Sequence, residues 1–168
     1  MIVLGVDPGL NATGYGIIDA SPQQMRVMTA GDIRPSAKQP LEERLARIHR
    51  GLTGLIVRYH PTIAVLEKIY THHAYVTTAS LMGHARGVAC LAAQEHGLEL
   101  AEYPPTQVKK SLSGNGMASK EQIGRMVEQW VGYRDPAWSA DATDALALAI
   151  VHAQAATQRQ RLPEALQR

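Results

Sequence analysis

The chain has 168 residues, 45% of them apolar, with one cysteine and a formal charge of +2. That length and apolar share suit one domain around one core, the lone cysteine excludes an internal disulfide, and no uninterrupted apolar stretch reaches the roughly 18–20 residues that span a bilayer. A charge of +2 permits a nucleic-acid partner without requiring one, so the placement of charge must decide.

Residues 2 to 7, Ile-Val-Leu-Gly-Val-Asp, and 12 to 19, Ala-Thr-Gly-Tyr-Gly-Ile-Ile-Asp, read as two strands of a hairpin turned by Pro8-Gly9. Asp7 breaks the first apolar run too early for a signal-peptide core, so a soluble, cytoplasmic protein is expected. A third strand follows over Met25 to Ile33. Leu41, Leu45, Ile48, Leu52, Ile56 and Tyr59 then recur at steps of three and four, the apolar stripe of a helix bounded by Pro40 and Pro61. Ile63-Ala-Val-Leu-Glu67 reads as a buried strand, followed by a polar loop to about Thr77 and an Ala-rich helix ending near Gly97 that holds Cys90, expected to be a buried, inert thiol. Leu98 to Tyr103 suits another strand and Thr106 to Leu112 a short helix. Ser113 to Gly116 suits a mobile loop, and Ala118 to Val131 and Ala140 to Ala156 two more helices. This order implies an α/β domain over residues 1–156, a mixed five-stranded sheet with helices on both faces, and a frayed C-terminal tail over 157–168.

Four carboxylates stand out. Asp7 and Glu67 end strands, and Asp141 and Asp144, three residues apart, share one face at the start of the last helix. Taken singly, Asp141 reads as a helix cap and Glu67 as a strand-end charge. Together they pose a cost, because anions gathered where solvent is scarce repel one another unless a cation joins them. Glu67 follows four apolar residues, and Asp144 precedes the apolar run Ala145 to Ile150. Oxygen-only ligands suit hard ions such as Mg²⁺ or Mn²⁺, which also accept phosphate oxygens. Two such ions can activate water and stabilise the leaving oxygen of a phosphate ester with no protein nucleophile.

The stretch Gly5-Val-Asp-Pro-Gly-Leu-Asn-Ala-Thr-Gly-Tyr-Gly16 resembles the opening of RuvC-type Holliday-junction resolvases. Leu66-Glu-Lys-Ile-Tyr70, Gly83-His-Ala-Arg-Gly-Val-Ala89 and Ala140-Asp-Ala-Thr-Asp-Ala-Leu-Ala147 match in order, as do the basic segments Gln107-Val-Lys-Lys110 and Gly114 to Gln122. The resemblance covers about residues 1 to 155. It implies a ribonuclease-H-like homodimer in which Asp7, Glu67, Asp141 and Asp144 bind two Mg²⁺ per subunit, Mn²⁺ being a substitute, and carry out catalysis. The implied reaction is symmetric nicking of two opposing strands of a four-way junction in recombination and repair. The implied partners are a junction-binding tetramer and its branch-migration motor, RuvA and RuvB. Two positions depart from the family pattern: Tyr70 stands where many members carry Phe, and Lys68 where Gln or Glu is more usual.

DNA contacts are expected from Tyr70, whose ring can stack on an unpaired base, and from the basic segment. There Lys109 and Lys120 match family positions, while Lys110 and Arg125 are equally readable as a solvated face. Arg86 is readable as structural or as phosphate-binding, on a helix the resemblance places near the dimer contact. His72 and His73 lack metal-ligand spacing, and His84 and His152 read as packing residues. Gly5-Val-Asp-Pro-Gly also resembles the first phosphate loop of the actin-like ATPases, but those need two such lobes and this chain has residues for one. RuvC-like RNA-processing nucleases and a non-catalytic junction scaffold are the alternatives.

Overall fold

The computed structural model describes residues 1–21, 24–68, 76–133 and 135–161. Ten elements follow in chain order: β1 (Ile2–Asp7), β2 (Thr13–Ala20), β3 (Met25–Ile33), α1 (Leu41–Tyr59), β4 (Ile63–Glu67), α2 (Val76–Glu95), β5 (Glu99–Tyr103), α3 (Pro105–Ser113), α4 (Lys120–Val131) and α5 (Ala140–Arg161). The strands form one sheet in the order β3-β2-β1-β4-β5. β1 to β3 run as an antiparallel meander, and β4 and β5 join parallel to β1. The mixed sheet read from the sequence is present, and so are helices on both faces.

Strand alternation decides which residues meet which layer, because successive side chains point to opposite faces. Val3, Ile18, Ile63 and Val65 pack with α5, α4 and α3 on one face. Leu4, Val6, Ile17, Ala64 and Leu66 pack with α1 and α2 on the other. Ile48, Leu52 and Ile56 of α1 are buried at the predicted spacing, and the helix ends at His60, left-handed at φ 50°, whose N–H donates to the Ile56 carbonyl.

Several boundaries differ from the sequence reading. Helix α4 starts at Lys120 rather than Ala118, because Ser119 accepts the Gln122 N–H while the Gln122 side chain accepts the Ser119 N–H, a capping box. The Ser113 to Gly116 segment is a hydrogen-bonded turn: Gly114 is left-handed at φ 75°, and Asn115 Oδ1 accepts the Met117 N–H. Helix α5 continues through Thr157 to Arg161, where the sequence suggested fraying; Thr157 Oγ1 donates to the Ala153 carbonyl. Cys90 is half-buried rather than buried, 3.8 Å from Arg86 Nη1, and His84 is exposed rather than packed. His152 packs as expected, with its Nδ1 3.0 Å from the Tyr103 hydroxyl.

Candidate active site

Asp7 and Glu67 lie at the C-terminal ends of the adjacent parallel strands β1 and β4. Counting back by twos, Asp7 shares its face with Val3 and Glu67 with Val65, so both carboxylates belong to the face covered by α5. Helix α5 reaches them because three positions beneath it, Gly5, Gly14 and Gly16, lack side chains. A Cβ on Gly5 would lie 1.9 Å from the Ala145 carbonyl oxygen, one on Gly14 2.1 Å from that of Asp141, and one on Gly16 2.7 Å from the Leu146 side chain. Gly5 and Gly16 are cross-strand partners, as are Asp7 and Gly14. The glycine-rich opening is therefore a seat for a helix rather than a phosphate cradle.

Asp141 and Asp144 occupy the first turns of α5, where the helix dipole is positive. Ser139 caps this end. Its Oγ accepts the Ala142 N–H at 3.0 Å and donates to Asp32 Oδ1 at 2.6 Å, fastening α5 to β3. The β1–β2 turn is fixed by Thr13, which is fully buried and donates to the Gly9 carbonyl at 2.8 Å.

The four carboxylates act on one another. Burial, then the charges of Asp144, Glu67 and Asp141, push the Asp7 carboxyl up to about 7, against the relief offered by Lys120. Glu67 is also held above its ordinary value, by burial and then by Asp144, with Lys120 and Lys109 opposing. Lys120 Nζ donates to Asp144 Oδ2 at 2.8 Å, a bond that raises the ammonium's own pKa. One exposed lysine thus faces a group of carboxylates, and the excess negative charge is what a divalent cation would neutralise. Among the described residues, no three acidic, histidine or cysteine side chains are drawn together closely enough to hold an ion already. The donor set is oxygen-only and suits Mg²⁺ or Mn²⁺.

The other predicted residues divide. Lys109, half-buried on α3, lies near enough to Glu67 to ease its ionisation, whereas Lys110 is exposed and has no such link. The Arg86 guanidinium is engaged by Glu102, tying α2 to β5. Tyr70, His72 and His73 lie outside the described residues. Arg125 lines an open cleft of about 720 Å³ between α4 and the start of α5, together with Lys120, Trp138 and Asp144. Sequence reasoning missed Ser139 and Asp32. A serine directly before the α5 run was the available cue for the cap, but nothing local joins it to a residue 107 positions away.

The family model for the crossover junction endodeoxyribonuclease RuvC matches residues 3–152. A crossover junction endodeoxyribonuclease RuvC from Paramagnetospirillum magneticum is 42% identical over 168 residues, covering 100% of both chains. The RuvC of T. thermophilus in complex with a Holliday junction substrate superposes with a TM-score of 0.86 at 31% identity, covering 94% of this chain and 96% of that one. The yeast mitochondrial Holliday junction resolvase shares the fold, with a TM-score of 0.64 at 13% identity over 95% of this chain and 81% of that one.

Proposed function

The chain belongs to the RuvC family of crossover junction endodeoxyribonucleases, nucleases that resolve Holliday junctions, and on that premise we propose that Asp7, Glu67, Asp141 and Asp144 form its catalytic centre. The observation that carries this reading is the Asp7 carboxyl. It lies where burial and three neighbouring carboxylates hold its pKa near 7, a state with no structural benefit and an evident use as a cation site.

In this reading each group has a task set by its position. Asp7 and Glu67, anchored on strands, form the rigid side of the site. Asp141 and Asp144 form the other side, with the α5 dipole favouring their ionised forms. Two Mg²⁺ per subunit, or Mn²⁺ in their place, would supply Lewis acidity and lower the pKa of the attacking water. Lys120 opposes charge on the scissile phosphate and Lys109 supports it, while Tyr70 stacks on a base at the opened junction centre and Lys110 touches flanking backbone. Arg86 serves the α2–β5 contact. Water adds across one phosphodiester in each subunit, leaving two ligatable nicks.

Symmetric cutting needs two active sites, so the functional unit is a homodimer. Helix α2 supports self-association: Leu81, Met82 and Leu91 are exposed on it, and the space above Gly83 and Gly87 is open to the close approach of a second helix. The RuvA tetramer and RuvB motor are the expected partners, and the cytoplasm the expected site of action. No helix among the described residues is long and apolar enough to cross a membrane.

The test is incubation of the full chain with an end-labelled four-way junction, a matched linear duplex and a structured RNA, with and without Mg²⁺. Symmetric, Mg²⁺-dependent nicking confined to the junction is the expected outcome. Junction binding without cutting would indicate a scaffold, and cutting of RNA alone an RNA-processing nuclease.

A further inference from the structure

On the face of the sheet opposite α5, four arginines gather at the end of the sheet that carries the carboxylates. Asp7, Gly14 and Asp32 are successive partners across β1, β2 and β3, which puts Asp32 about 10 Å from Asp7 at the usual strand spacing. Arg34, just beyond β3, pairs with Asp32 Oδ2 at 3.0 Å. Arg47 Nε donates to the Arg34 carbonyl at 3.2 Å, and Arg44 Nη2 donates to Asn11 Oδ1 at 2.9 Å, in the turn that follows Asp7.

Arg34, Arg47 and Arg50 border an open cleft of about 400 Å³ between α1 and the β2–β3 edge, where the one carboxylate among the described lining residues is Asp32. Asp32 is already shared between Arg34 and Ser139. Arg50 makes no hydrogen bond or ion pair among the described residues. Arg44 Nε is buried without a hydrogen-bond partner among the described residues, while Nη2 of the same guanidinium is held by Asn11.

We propose that Arg34, Arg44, Arg47 and Arg50 form a phosphate track that holds the DNA backbone flanking the cut, on the side of the sheet away from the basic segment of α3 and α4. This rests on the junction-cutting function. Arg44, Arg47 and Arg50 recur every three residues, so they span about 9 Å along the helix axis at 1.5 Å per residue. That is the shape of an extended polyanion and not of a single phosphate. Guanidinium forks suit phosphate oxygens, and such contacts position a duplex without reading its sequence. Through Asp32 and Ser139 the track is also joined to the capped end of α5, so backbone held there is in register with Asp141 and Asp144.

The experiment is a fluorescence-anisotropy titration of a labelled four-way junction with full-length protein in EDTA, which prevents cutting, across 50–200 mM salt. Arg47→Ala/Arg50→Ala is expected to weaken binding about tenfold, and to lower the slope of log K against log salt by about 1–2, as each lost phosphate contact removes roughly 0.9. Arg50→Ala alone, which breaks no bond in the fold, should lower it by about 0.9. Arg58→Ala, at the far end of α1 where the guanidinium lies over Tyr59, should bind as the unaltered chain does. Unchanged affinity and slope in the Arg47/Arg50 variant, or an equal loss in Arg58→Ala, would overturn the track while leaving the nuclease reading intact. Failure of the unaltered chain to bind junctions at all would remove both.

Discussion

Gly14 and Asp141 touch where neither has a side chain to spare: a Cβ built on Gly14 would lie 2.1 Å from the Asp141 carbonyl oxygen. Gly14 is also the cross-strand partner of Asp7. With Gly5 and Gly16, this bare position on β2 therefore sets the height at which α5 crosses the sheet, and Gly14 sets it nearest Asp141, hence the separation between Asp7 on the strand and Asp141 and Asp144 on the helix. Packed backbone cannot yield as a flexible side chain can.

Gly14→Ala is expected to lift the start of α5 off the sheet. Overpacking of this kind costs about 1–3 kcal/mol, read as a lower urea midpoint. Displacing two carboxylates by about 1 Å should reduce the rate of junction cleavage by roughly 100-fold, out of proportion to the stability loss. Junction binding in EDTA should change little, because no arginine or lysine has moved far. A variant that cut at the normal rate would show that α5 is not held by this contact.

Ser139→Ala removes an N-cap and the tie to Asp32 together. Loss of the cap should cost about 0.5–2 kcal/mol. Asp32 would keep Arg34 but lose its link to α5, so cleavage should fall while junction affinity holds. Ser139→Asp restores the cap and sets two carboxylates against each other, whereas Ser139→Thr restores cap and tie alike. Rescue of cleavage by threonine and not by aspartate would assign the effect to the Asp32 bond, and equal rescue by both would assign it to the cap alone.

Elements with a strong period were readable from local sequence: α1 from Ile48, Leu52 and Ile56, and β4 from its unbroken apolar run. The carboxylates were readable for a related reason, since Glu67 and Asp144 each adjoin apolar residues that fix their depth. What local sequence hid is long-range. The Gly5, Gly14 and Gly16 spacing suggests turns or a phosphate loop until α5 is laid across it. Arg86 was readable either way, as structural or as phosphate-binding, because its partner Glu102 comes from strand β5, a separate element. The arginines of α1 lie off its apolar stripe, and only the packing of that helix against β3 brings Arg47 to Arg34.

Asp7→Asn should abolish cleavage and make the metal-free protein more stable. Between 3.8 and about 7 the folded chain keeps a proton on Asp7 that the unfolded chain has released. This group's effect is thus a loss of stability as pH rises through that window, levelling off above about 7. At pH 8 the asparagine variant should be more stable by about 2–4 kcal/mol in EDTA, the equivalent of the raised pKa. Mg²⁺ should stabilise the unaltered chain at that pH by binding the folded state, and the variant much less. Denaturant titrations at pH 5 and pH 8, with and without Mg²⁺, check all of this, and a variant less stable than its parent at pH 8 would contradict the assignment.

Lys120→Met keeps the side-chain stem and removes the ammonium paired with Asp144 at 2.8 Å. The pair is exposed on the lysine side, so its direct loss should change stability by under about 1 kcal/mol. The larger consequence is electrostatic. Lys120 eases the ionisation of both Asp7 and Glu67, and without it both carboxyls should hold their protons to higher pH. The acid limb of the pH–rate profile for junction cleavage should therefore move to higher pH. The plateau rate should fall by about 10²–10³, the usual loss when one donor to a developing oxyanion is removed. The bond to Asp144 raises the lysine's own pKa above its ordinary 10.5, so it is charged throughout the neutral range and none of these effects reflects its own titration. A lower plateau with an unmoved acid limb would mean that Lys120 meets the phosphate but does not set the charge state of the carboxylates.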